Sequence, residues 1–274
     1  MAGGPDIAWI AIAPVKSMAL VFLDRVELGI AGIAGDRAFA LIDESSRLVN
    51  GKRAGRLATV VVEHDPAAGG LTMRFPDGTL VSGGVELGPT IRPIFFGAER
   101  PVRLVAGPWT DAITEWSGQS LRLVAMDRGE GTDRGPTATL LSSAALAELA
   151  SVGGADAPLD RRRFRMAFGI DDVPAYAEDG WLGREVRIGG AIVRVAGNVG
   201  RCAVTTHDPD TGRASFDTLH ALHHSRSHLP TSEPLPFGVW AEVTKPGRVA
   251  LGSAEPVRLV APDRRSRDDT RREY

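Results

Sequence analysis

Short runs of branched and aromatic apolar residues recur along the chain, separated by Gly, Pro and Asp residues that favour turns. The clearest runs lie at residues 7–13, 38–42, 58–63, 71–75 and 102–105. Runs of this length and composition predict β-strands, and their spacing favours a sandwich or a barrel over repeated βαβ units. We therefore expect a mostly β fold with a few helices, in the α+β class.

Two segments have the pattern of helices. Residues 111–117 and residues 142–151 are predicted to be helical, and Ser142 or Ser143 can cap the first turn of the second helix. Residues 164–170, rich in apolar side chains, predict a further strand.

A hairpin is expected where residues 185–188 and residues 191–195 flank Gly189 and Gly190. Paired glycines readily adopt the positive φ angles of a two-residue hairpin turn. The segment that follows this hairpin is predicted to be a strand carrying Cys202.

The composition is that of a folded protein of one large or two small domains, with 274 residues, of which 43% are hydrophobic and 24% charged. A net charge of -2 gives no general attraction to nucleic acid or to an anionic membrane. The apolar run at residues 7–15 lacks basic residues before it and is followed by Lys16, which argues against a signal peptide and a membrane span. We expect a cytoplasmic protein.

Cys202 is the only cysteine in the chain, so it cannot form an internal disulfide. Two interpretations stay open at this point. A lone cysteine is often a small buried hydrophobic residue. Alternatively, its thiolate acts as a metal ligand or nucleophile, and the positive charge of the neighbouring Arg201 would favour the thiolate form.

Six short motifs stand in order along the chain: Pro14-Val15-Lys16-Ser17, Gly35-Asp36-Arg37, Phe164-Arg165, Ala177-Glu178-Asp179-Gly180-Trp181, Gly200-Arg201-Cys202 and Asp208-Pro209-Asp210-Thr211-Gly212. In this order the chain resembles MOSC proteins, the family named after the C-terminal domain of molybdenum cofactor sulfurase. The resemblance extends from about residue 7 to residue 260. It is closest to the branch of the mitochondrial amidoxime-reducing components and their bacterial relatives.

The resemblance implies two β-barrel-like domains, an N-terminal MOSC-associated domain at residues 1–100 and a MOSC domain at residues 101–262. The mixture of Arg and Asp at residues 263–274 predicts a disordered tail. It also implies a molybdenum–pterin cofactor in the cleft between the domains, with the thiolate of Cys202 as the metal ligand and catalytic residue. The positions that match cofactor-binding positions in that branch are Lys16, Ser17, Arg37, Ser142, Arg165, Arg201 and Cys202. An association with pyridoxal phosphate binding exists only at the level of the family.

The chemistry of these residue types agrees with that expectation. A soft thiolate suits a thiophilic metal, and the phosphate of a pterin cofactor needs cationic donors, preferably forked, with hydroxyl groups nearby. Lys16 and Ser17 follow a predicted strand, where one loop would bring an ammonium and a hydroxyl to the same oxyanion. Taken singly, such arginines and serines are usually solvated or structural, so their joint placement carries the prediction.

The chain departs from the family pattern where Phe164 and Arg165 continue into Met166 and Ala167 instead of into proline and asparagine. An asparagine amide offers donors and an acceptor to a pterin ring, whereas Ala167 offers only a methyl group. Gly200 stands where related reductases often have a hydroxyl or thiol residue. These departures leave open that the cofactor is held differently, is held weakly or has been lost.

Two functions from different classes follow from the resemblance. The first is an oxidoreductase that reduces N-hydroxylated small molecules. Because a single cysteine cannot hold an iron–sulfur cluster, such an enzyme would receive electrons from a separate ferredoxin- or cytochrome-like protein. The second is a carrier of the molybdenum cofactor or a sulfur-transfer protein, which uses Cys202 without reducing a small molecule and with or without bound cofactor.

Two other groups of residues compete as candidate sites. Four histidines at helical spacing form a possible metal site, but no carboxylate or cysteine completes the set, so we favour no specific metal role; they are His220, His223, His224 and His228. Glu178 and Asp179 are either acid/base residues in the cleft or caps of a turn, and the second interpretation is favoured.

Overall fold

The computed structural model describes residues 4–126, 137–253 and 255–261. Within these ranges the chain forms three α-helices: α1 (Trp109–Ser117), α2 (Ala144–Val152) and α3 (Thr218–Arg226). The strands, in chain order, are β1 (Asp6–Ile12), β2 (Val21–Leu23), β3 (Arg25–Gly29), β4 (Gly32–Ile33), β5 (Phe39–Ile42), β6 (Val61–Asp65), β7 (Gly70–Arg74), β8 (Leu80–Gly84), β9 (Glu86–Ile91), β10 (Ile94–Phe95), β11 (Ala98–Glu99), β12 (Val102–Ala106), β13 (Arg122–Ala125), β14 (Ala138–Ser142), β15 (Phe168–Asp171), β16 (Glu185–Ile188), β17 (Ala191–Asn198), β18 (Val239–Lys245), β19 (Gly247–Ala250) and β20 (Arg258–Leu259).

The molecule has an N-terminal and a C-terminal half. The C-terminal half is built on an eight-stranded sheet with the order β2-β1-β15-β14-β18-β17-β16-β20. Its neighbouring strands run antiparallel, apart from the parallel pair β14 and β15. Alternate residues of a strand face the same side, and here Val193, Val195, Val239 and Ala241 are all fully buried in one core. Burial of these alternating apolar side chains fixes the register of the central strands.

A second core lies between the four-stranded sheet β5-β13-β12-β9 and the three-stranded sheet β6-β7-β8. Helix α1 packs into it through Trp109, which is fully buried. The indole Nε1 of Trp109 donates to the carbonyl oxygen of Leu71 over 3.1 Å, so the polar atom of this large side chain is satisfied where it is buried.

Each half of the molecule includes strands that are distant in the sequence from its other strands. β1 pairs with β15 and β3 pairs with β19, so the first strands of the chain join the C-terminal half. In the opposite direction, β12 and β13 follow residue 100 but pair with β9 and β5. The boundary expected between residues 100 and 101 thus precedes two strands, β12 and β13, that complete a sheet of the N-terminal half. Pairing between distant strands leaves no mark in the local sequence pattern, so the sequence did not indicate this.

The structure confirms the mostly β fold, both predicted helices and the hairpin. Ser143 directly precedes α2, but its hydroxyl bonds to the carboxylate of Asp171 and does not cap the helix. The hairpin joins β16 to β17, and Gly189 has a φ of 54° at its turn. That angle lies in the left-handed region that glycine adopts at little cost.

One predicted strand is confirmed only in part and another was wrong. Only the end of the segment 164–170 is a strand, because a 3₁₀ turn at Arg161–Arg163 precedes it and the carboxylate of Asp160 accepts from the N–H of Arg162. Cys202 lies just before a 3₁₀ turn at Ala203–Thr206 and not in a strand. Threonine hydroxyls bond back to the carbonyl groups three residues earlier in that turn, which competes with a β ladder.

No helix in the described part of the chain is long and apolar enough to cross a membrane. The tail predicted at residues 263–274 lies outside the described residues.

Candidate functional site

A cavity of about 600 Å³ is lined by residues from both halves of the molecule. Six of the seven predicted site residues line it: Lys16, Ser17, Arg37, Arg165, Arg201 and Cys202. These residues lie up to 186 positions apart in the chain, and the fold brings them together at one cavity. The seventh, Ser142, does not line the cavity.

The loop after β1 carries Lys16 and Ser17 to the cavity beside Arg37. The N–H of Lys16 donates to the carbonyl oxygen of Phe39 over 2.8 Å, and the N–H of Arg37 donates to that of Ala13 over 2.7 Å. These bonds hold the two loops side by side. Ser17 has a φ of 75° and Arg37 a φ of 50°, which are unfavourable angles for residues other than glycine. Such backbone conformations persist where surrounding structure enforces them, and they concentrate at functional sites.

Arg37 links this loop pair to the other half of the molecule. Its Nη2 donates to the carbonyl oxygen of Arg165 over 3.1 Å, and its Nη1 pairs with the carboxylate of Asp36. Asp36 in turn accepts from the N–H of Ala13 over 2.8 Å. The guanidinium of Arg37 is therefore oriented by its neighbours while it lines the cavity.

Arg165 is the most unusual charged group of the cavity. Its Nη2 is buried with no hydrogen-bond partner among the described residues, although other parts of the residue are partly exposed. Its backbone φ is 55°. Burial, together with the positive charge of Arg37, lowers the pKa of Arg165 to about 10, against the opposing effect of Asp36. A buried cation with an unused donor is costly unless an anion binds beside it.

Arg201 serves a different purpose from Arg165, because its donors are used by the protein. Nε donates to the carbonyl oxygen of Phe237 over 2.9 Å, Nη1 to that of Phe164 over 2.8 Å, and Nη2 lies 2.9 Å from the sulfur of Met166. Burial lowers the pKa of Arg201 to about 9, while negative charge at Cys202 and Glu178 would raise it. Arg201 thus anchors the backbone next to Cys202.

Cys202 is partly exposed and lines the cavity. Its carbonyl oxygen accepts two hydrogen bonds from Thr205, one from the N–H and one from the hydroxyl, both at 3.0 Å. The backbone of Cys202 is therefore fixed through groups other than its thiol. The partial exposure of Cys202 argues against the interpretation of this residue as a fully buried hydrophobic side chain.

Ser142 lies instead in a buried polar cluster away from the cavity wall. Its hydroxyl accepts from the N–H of Tyr176 over 2.9 Å. Glu178 is fully buried nearby, and neither of its carboxyl oxygens has a hydrogen-bond partner within the described part of the chain. Burial raises the pKa of Glu178, an effect that Ser142 partly offsets. Asp179 accepts from Arg226 over 2.5 Å and from Asn198 over 3.0 Å. Neither Glu178 nor Asp179 lines the cavity, so both act in the structure of this cluster.

The position of the missing asparagine also lies off the cavity wall. Ala167 is buried in the core of the eight-stranded sheet, and its N–H donates to the hydroxyl of Thr139 over 2.8 Å. Thr139 and Met166 line the cavity, whereas Ala167 does not. A polar contact to a cofactor ring is therefore available at this place from Thr139 and not from Ala167.

Sequence reasoning missed several residues of the cavity wall. They include Lys52, Phe96, Arg162, Arg163, Glu233 and Trp240. The run of three arginines at Arg161–Arg163, directly before Phe164 and Arg165, was the available signal. Arg162 bonds both oxygens of Asp210 at 2.7 and 2.8 Å, and Arg163 donates to the carbonyl oxygen of Thr206 over 3.0 Å.

The loop at residues 208–212 borders the cavity through its first two residues, Asp208 and Pro209. Asp208 accepts from the N–H groups of Asp210 and Thr211, which gives the loop a fixed shape. Gly212, with a φ of 68°, packs so tightly on Gly55 that a Cβ at either position would overlap the backbone of the other. Gly55 itself lines the cavity, so this contact between the two halves helps to define its edge.

The histidines of α3 stand apart from this site. The rings of His220 and His224 stack with their centroids 6.0 Å apart. Within the described ranges, no group of three or more His, Cys, Asp or Glu residues has an arrangement that would hold a metal ion.

Two family models match the chain, in the order that the motifs predicted. The MOSC N-terminal beta barrel domain matches residues 5–92, and the MOSC domain matches residues 134–254. Together the two matches cover well over half of the chain and define a two-domain MOSC architecture. The chain therefore belongs to the MOSC proteins that carry this N-terminal domain. MOSC domains are associated with molybdenum cofactor binding at the level of the family.

No curated protein matches the sequence. Among solved structures, the YUAD protein from Bacillus subtilis is 11% identical with a TM-score of 0.40, over 90% of this chain and 91% of that chain. YiiM from Geobacillus stearothermophilus is 17% identical with a TM-score of 0.31, over 45% of this chain and 54% of that chain. A Bordetella bronchiseptica protein with a solution structure is 14% identical with a TM-score of 0.31, over 46% of this chain and 95% of that chain.

Proposed function

We propose that this protein is a molybdenum-cofactor-dependent oxidoreductase that reduces N-hydroxylated small molecules, with the thiolate of Cys202 as the ligand of the metal. The observation that carries the proposal is the pairing, in one cavity, of a partly exposed thiol with a buried cation whose donor is unused. These are the two kinds of group that a cofactor with a soft metal at one end and a phosphate at the other requires.

The donors that fit the phosphate are Arg165 and Arg37, with Lys16 and Ser17 on the adjoining loop. Arginine offers a planar fork suited to two oxygens, and Lys16 adds a point charge. Phosphate binding would use the orphan Nη2 of Arg165 and offset the cost of burying its charge.

The other residues of the cavity have supporting roles. A bound molybdenum–pterin cofactor would supply a metal that exchanges two electrons and accepts the substrate oxygen. Arg201 holds the Cys202 backbone in place through the carbonyl groups of Phe237 and Phe164. Thr139 lines the cavity and would be the residue that offers a hydroxyl to the cofactor in place of the family asparagine. Electrons would come from a separate ferredoxin- or cytochrome-like protein. The proposal keeps a cytoplasmic location, where a reducing environment holds Cys202 as a thiol.

A second candidate is a cofactor carrier or sulfur-transfer protein. It draws support from Ala167, because the amide expected at that position is missing. The same cavity would then hold the cofactor without turnover, or Cys202 would carry sulfur as a persulfide.

Purified protein tests the proposal in two steps. Metal analysis by mass spectrometry and a molybdopterin assay come first, and near-stoichiometric values of both are expected. Reduction of benzamidoxime to benzamidine with a reduced viologen as electron donor comes second. Cofactor with turnover supports the oxidoreductase, and cofactor without turnover of any N-hydroxylated compound supports the carrier. Absence of both molybdenum and pterin, after expression in a host that makes the cofactor, would contradict both.

A further inference from the structure

Gly200 leaves a space two residues before Cys202, and the carboxylate of Glu233 takes up this space. A Cβ on Gly200 would lie only 2.7 Å from Oε2 of Glu233, which is an overlap, and 3.0 Å from Cδ of Pro234. Gly200 is not among the glycines with a positive φ, so its backbone conformation does not require glycine. The requirement for glycine at this position comes from the packing of Glu233 and Pro234 against it.

Main-chain hydrogen bonds hold the segment that carries Glu233 along the residues that precede Cys202. The N–H of Arg201 donates to the carbonyl oxygen of Pro234 over 3.0 Å, and the N–H of Phe237 donates to that of Val199 over 3.0 Å. Because Gly200 and Cys202 are two residues apart, their Cα atoms are separated by at most about 7 Å. The carboxylate that touches Gly200 therefore lies close to Cys202, and Glu233 and Cys202 line the same cavity.

The carboxylate of Glu233 is unusual in a cavity wall that is rich in arginine and lysine. Among the described residues that line the cavity, only Asp208 and Glu233 are acidic. Asp208 uses its Oδ1 to accept from the N–H groups of Asp210 and Thr211, which shape its own loop. A carboxylate has about four lone-pair sites, so that of Glu233 can accept from a ligand as well as from the protein. Glu233 thus provides an acceptor with a negative charge close to the proposed metal ligand.

We propose that Glu233 is a specificity-determining residue that accepts from the N–H groups beside the N-hydroxyl group of the substrate, so that the cavity selects amidoximes and N-hydroxyguanidines over hydroxamic acids. The inference rests on the proposed function. An amidoxime carries an NH2 group on the carbon next to its N-hydroxyl nitrogen, whereas a hydroxamic acid of nearly the same shape carries a carbonyl oxygen there. A carboxylate accepts from the NH2 group and repels the carbonyl oxygen. Sites that pair with a polar group of the substrate reject an analogue without that group more strongly than apolar pockets reject a change of size.

Glu233→Gln tests this role with benzamidoxime and benzohydroxamic acid, which differ mainly in the NH2 group and the carbonyl oxygen. A glutamine amide accepts less strongly from the first and donates to the second. We expect the ratio of kcat/KM for benzamidoxime to kcat/KM for benzohydroxamic acid to fall about 10-fold. Both values come from one preparation, so the ratio does not depend on the fraction of folded or cofactor-loaded protein. An unchanged ratio would overturn the proposal.

Glu27→Gln is the matched control for the loss of one negative charge. Glu27 is exposed on β3 and does not line the cavity. Its substitution should leave the ratio of the two kcat/KM values unchanged. A fall as large as that in Glu233→Gln would show that net charge, and not the position of the carboxylate, causes the effect, and would count against the proposal.

Gly200→Ala moves the same carboxylate without replacing Glu233. Oε2 is the end of a flexible side chain, so the added methyl group should displace it and lower the ratio. The double variant Gly200→Ala/Glu233→Gln should lose no more selectivity than Glu233→Gln alone, because both changes act on one group. Additive losses in the double variant would mean that Gly200→Ala acts through something other than Glu233, and would contradict the assignment.

Two further measurements separate this inference from the proposed function. Calorimetry with benzamidine and benzamide needs no turnover, and the Kd of benzamidine should rise about 10-fold in Glu233→Gln while that of benzamide does not rise. Molybdopterin content of the variant should equal that of the wild type, and a clear loss would make Glu233 a contact of the cofactor and overturn the substrate role. If the wild type reduces neither substrate, the proposed function fails, and the benzamidine comparison still decides whether Glu233 binds the N–H groups.

Discussion

Arg37 donates from its Nη2 to the carbonyl oxygen of Arg165 over 3.1 Å, and this bond joins two cavity arginines that lie 128 positions apart in the chain. It has two consequences. The guanidinium of Arg37 is fixed between Arg165 and Asp36, and the two like charges come close enough that Arg37 lowers the pKa of Arg165. The protein thus maintains a concentration of positive charge that an anionic group would relieve.

Arg165→Met is expected to stabilise the cofactor-free protein while weakening cofactor retention. Methionine keeps much of the length of the side chain and removes a buried charge with an unused donor, which costs about 1–3 kcal/mol. Thermal melts of the cofactor-free forms should therefore show a higher Tm for the variant, by roughly 2–4 °C per kcal/mol. Molybdopterin per protein after identical purification should fall. A lower Tm together with full cofactor content would contradict the role given to Arg165.

Arg37→Ala should also lower molybdopterin content, because it removes both a donor and the bond that orients the backbone of Arg165. A loss of about 1.5–3 kcal/mol in binding is expected for a charge-assisted hydrogen bond. Arg165→Lys should restore only part of the retention lost in Arg165→Met, since an ammonium keeps the charge without the fork. Arg74→Ala is the control, because Arg74 is exposed and does not line the cavity. Retention in Arg37→Ala equal to that of this control would remove Arg37 from the site.

Cys202→Ser is expected to abolish molybdenum-dependent turnover with little change in Tm. The structure supplies the reason for the unchanged fold, since the carbonyl oxygen of Cys202, which the substitution leaves in place, accepts two hydrogen bonds from Thr205. A hydroxyl is a harder and less acidic ligand than a thiol and does not replace it on a thiophilic metal. Turnover and metal content are measured on the same preparation. Full activity in the serine variant would show that the thiol is not the ligand.

Glu178→Gln is expected to change stability in a pH-dependent way. Burial raises the folded-state pKa of Glu178, so the folded protein keeps this proton over a pH range in which the unfolded chain releases it. The stabilising contribution of Glu178 is complete below its unfolded pKa and is lost as pH rises through the folded pKa. Glutamine is neutral throughout, so the Tm of the variant should exceed that of the wild type near about pH 8 and not near about pH 4.

Glu242→Gln provides the comparison for this pH series. Glu242 forms an exposed pair with Arg194 at 3.2 Å, and exposed pairs contribute little to stability. Its Tm difference from the wild type should stay small at both ends of the series. A difference for Glu178→Gln that does not grow with pH would mean that the buried carboxyl is not the source of the effect.

Gly212→Ala is expected to destabilise the protein and to lower cofactor retention. A Cβ on Gly212 would overlap the backbone of Gly55, which borders the cavity, so the two halves would have to separate there. Gly118→Ala controls for backbone strain, because Gly118 has the same φ of 68° with no atom within 4 Å of the added Cβ. Strain of this kind costs about 1–3 kcal/mol in both variants. Only Gly212→Ala should lose molybdopterin as well, and equal cofactor contents would show that the contact does not shape the site.

Local pattern determined much of the architecture. The apolar runs predicted a mostly β fold, and turn chemistry located the hairpin between β16 and β17. Both helices followed from periodicity within a few residues of their observed ends. These features depend on neighbours in sequence, because the period of a strand or helix and the φ of a turn glycine are set within a few residues. The order of six motifs predicted the family, which the two domain matches confirm.

Tertiary structure decided what those motifs do. Arg165 and Arg201 look alike in the sequence. Arg165 has a buried donor that finds no partner among the residues the structure describes, whereas Arg201 donates to the carbonyl groups of Phe237 and Phe164. Ser142 matched a binding position but faces Tyr176, away from the cavity. The hydrogen-bond partners of these residues lie between 34 and 128 positions away in the chain. Only the folded structure therefore shows which polar groups bond to the protein and which face the cavity.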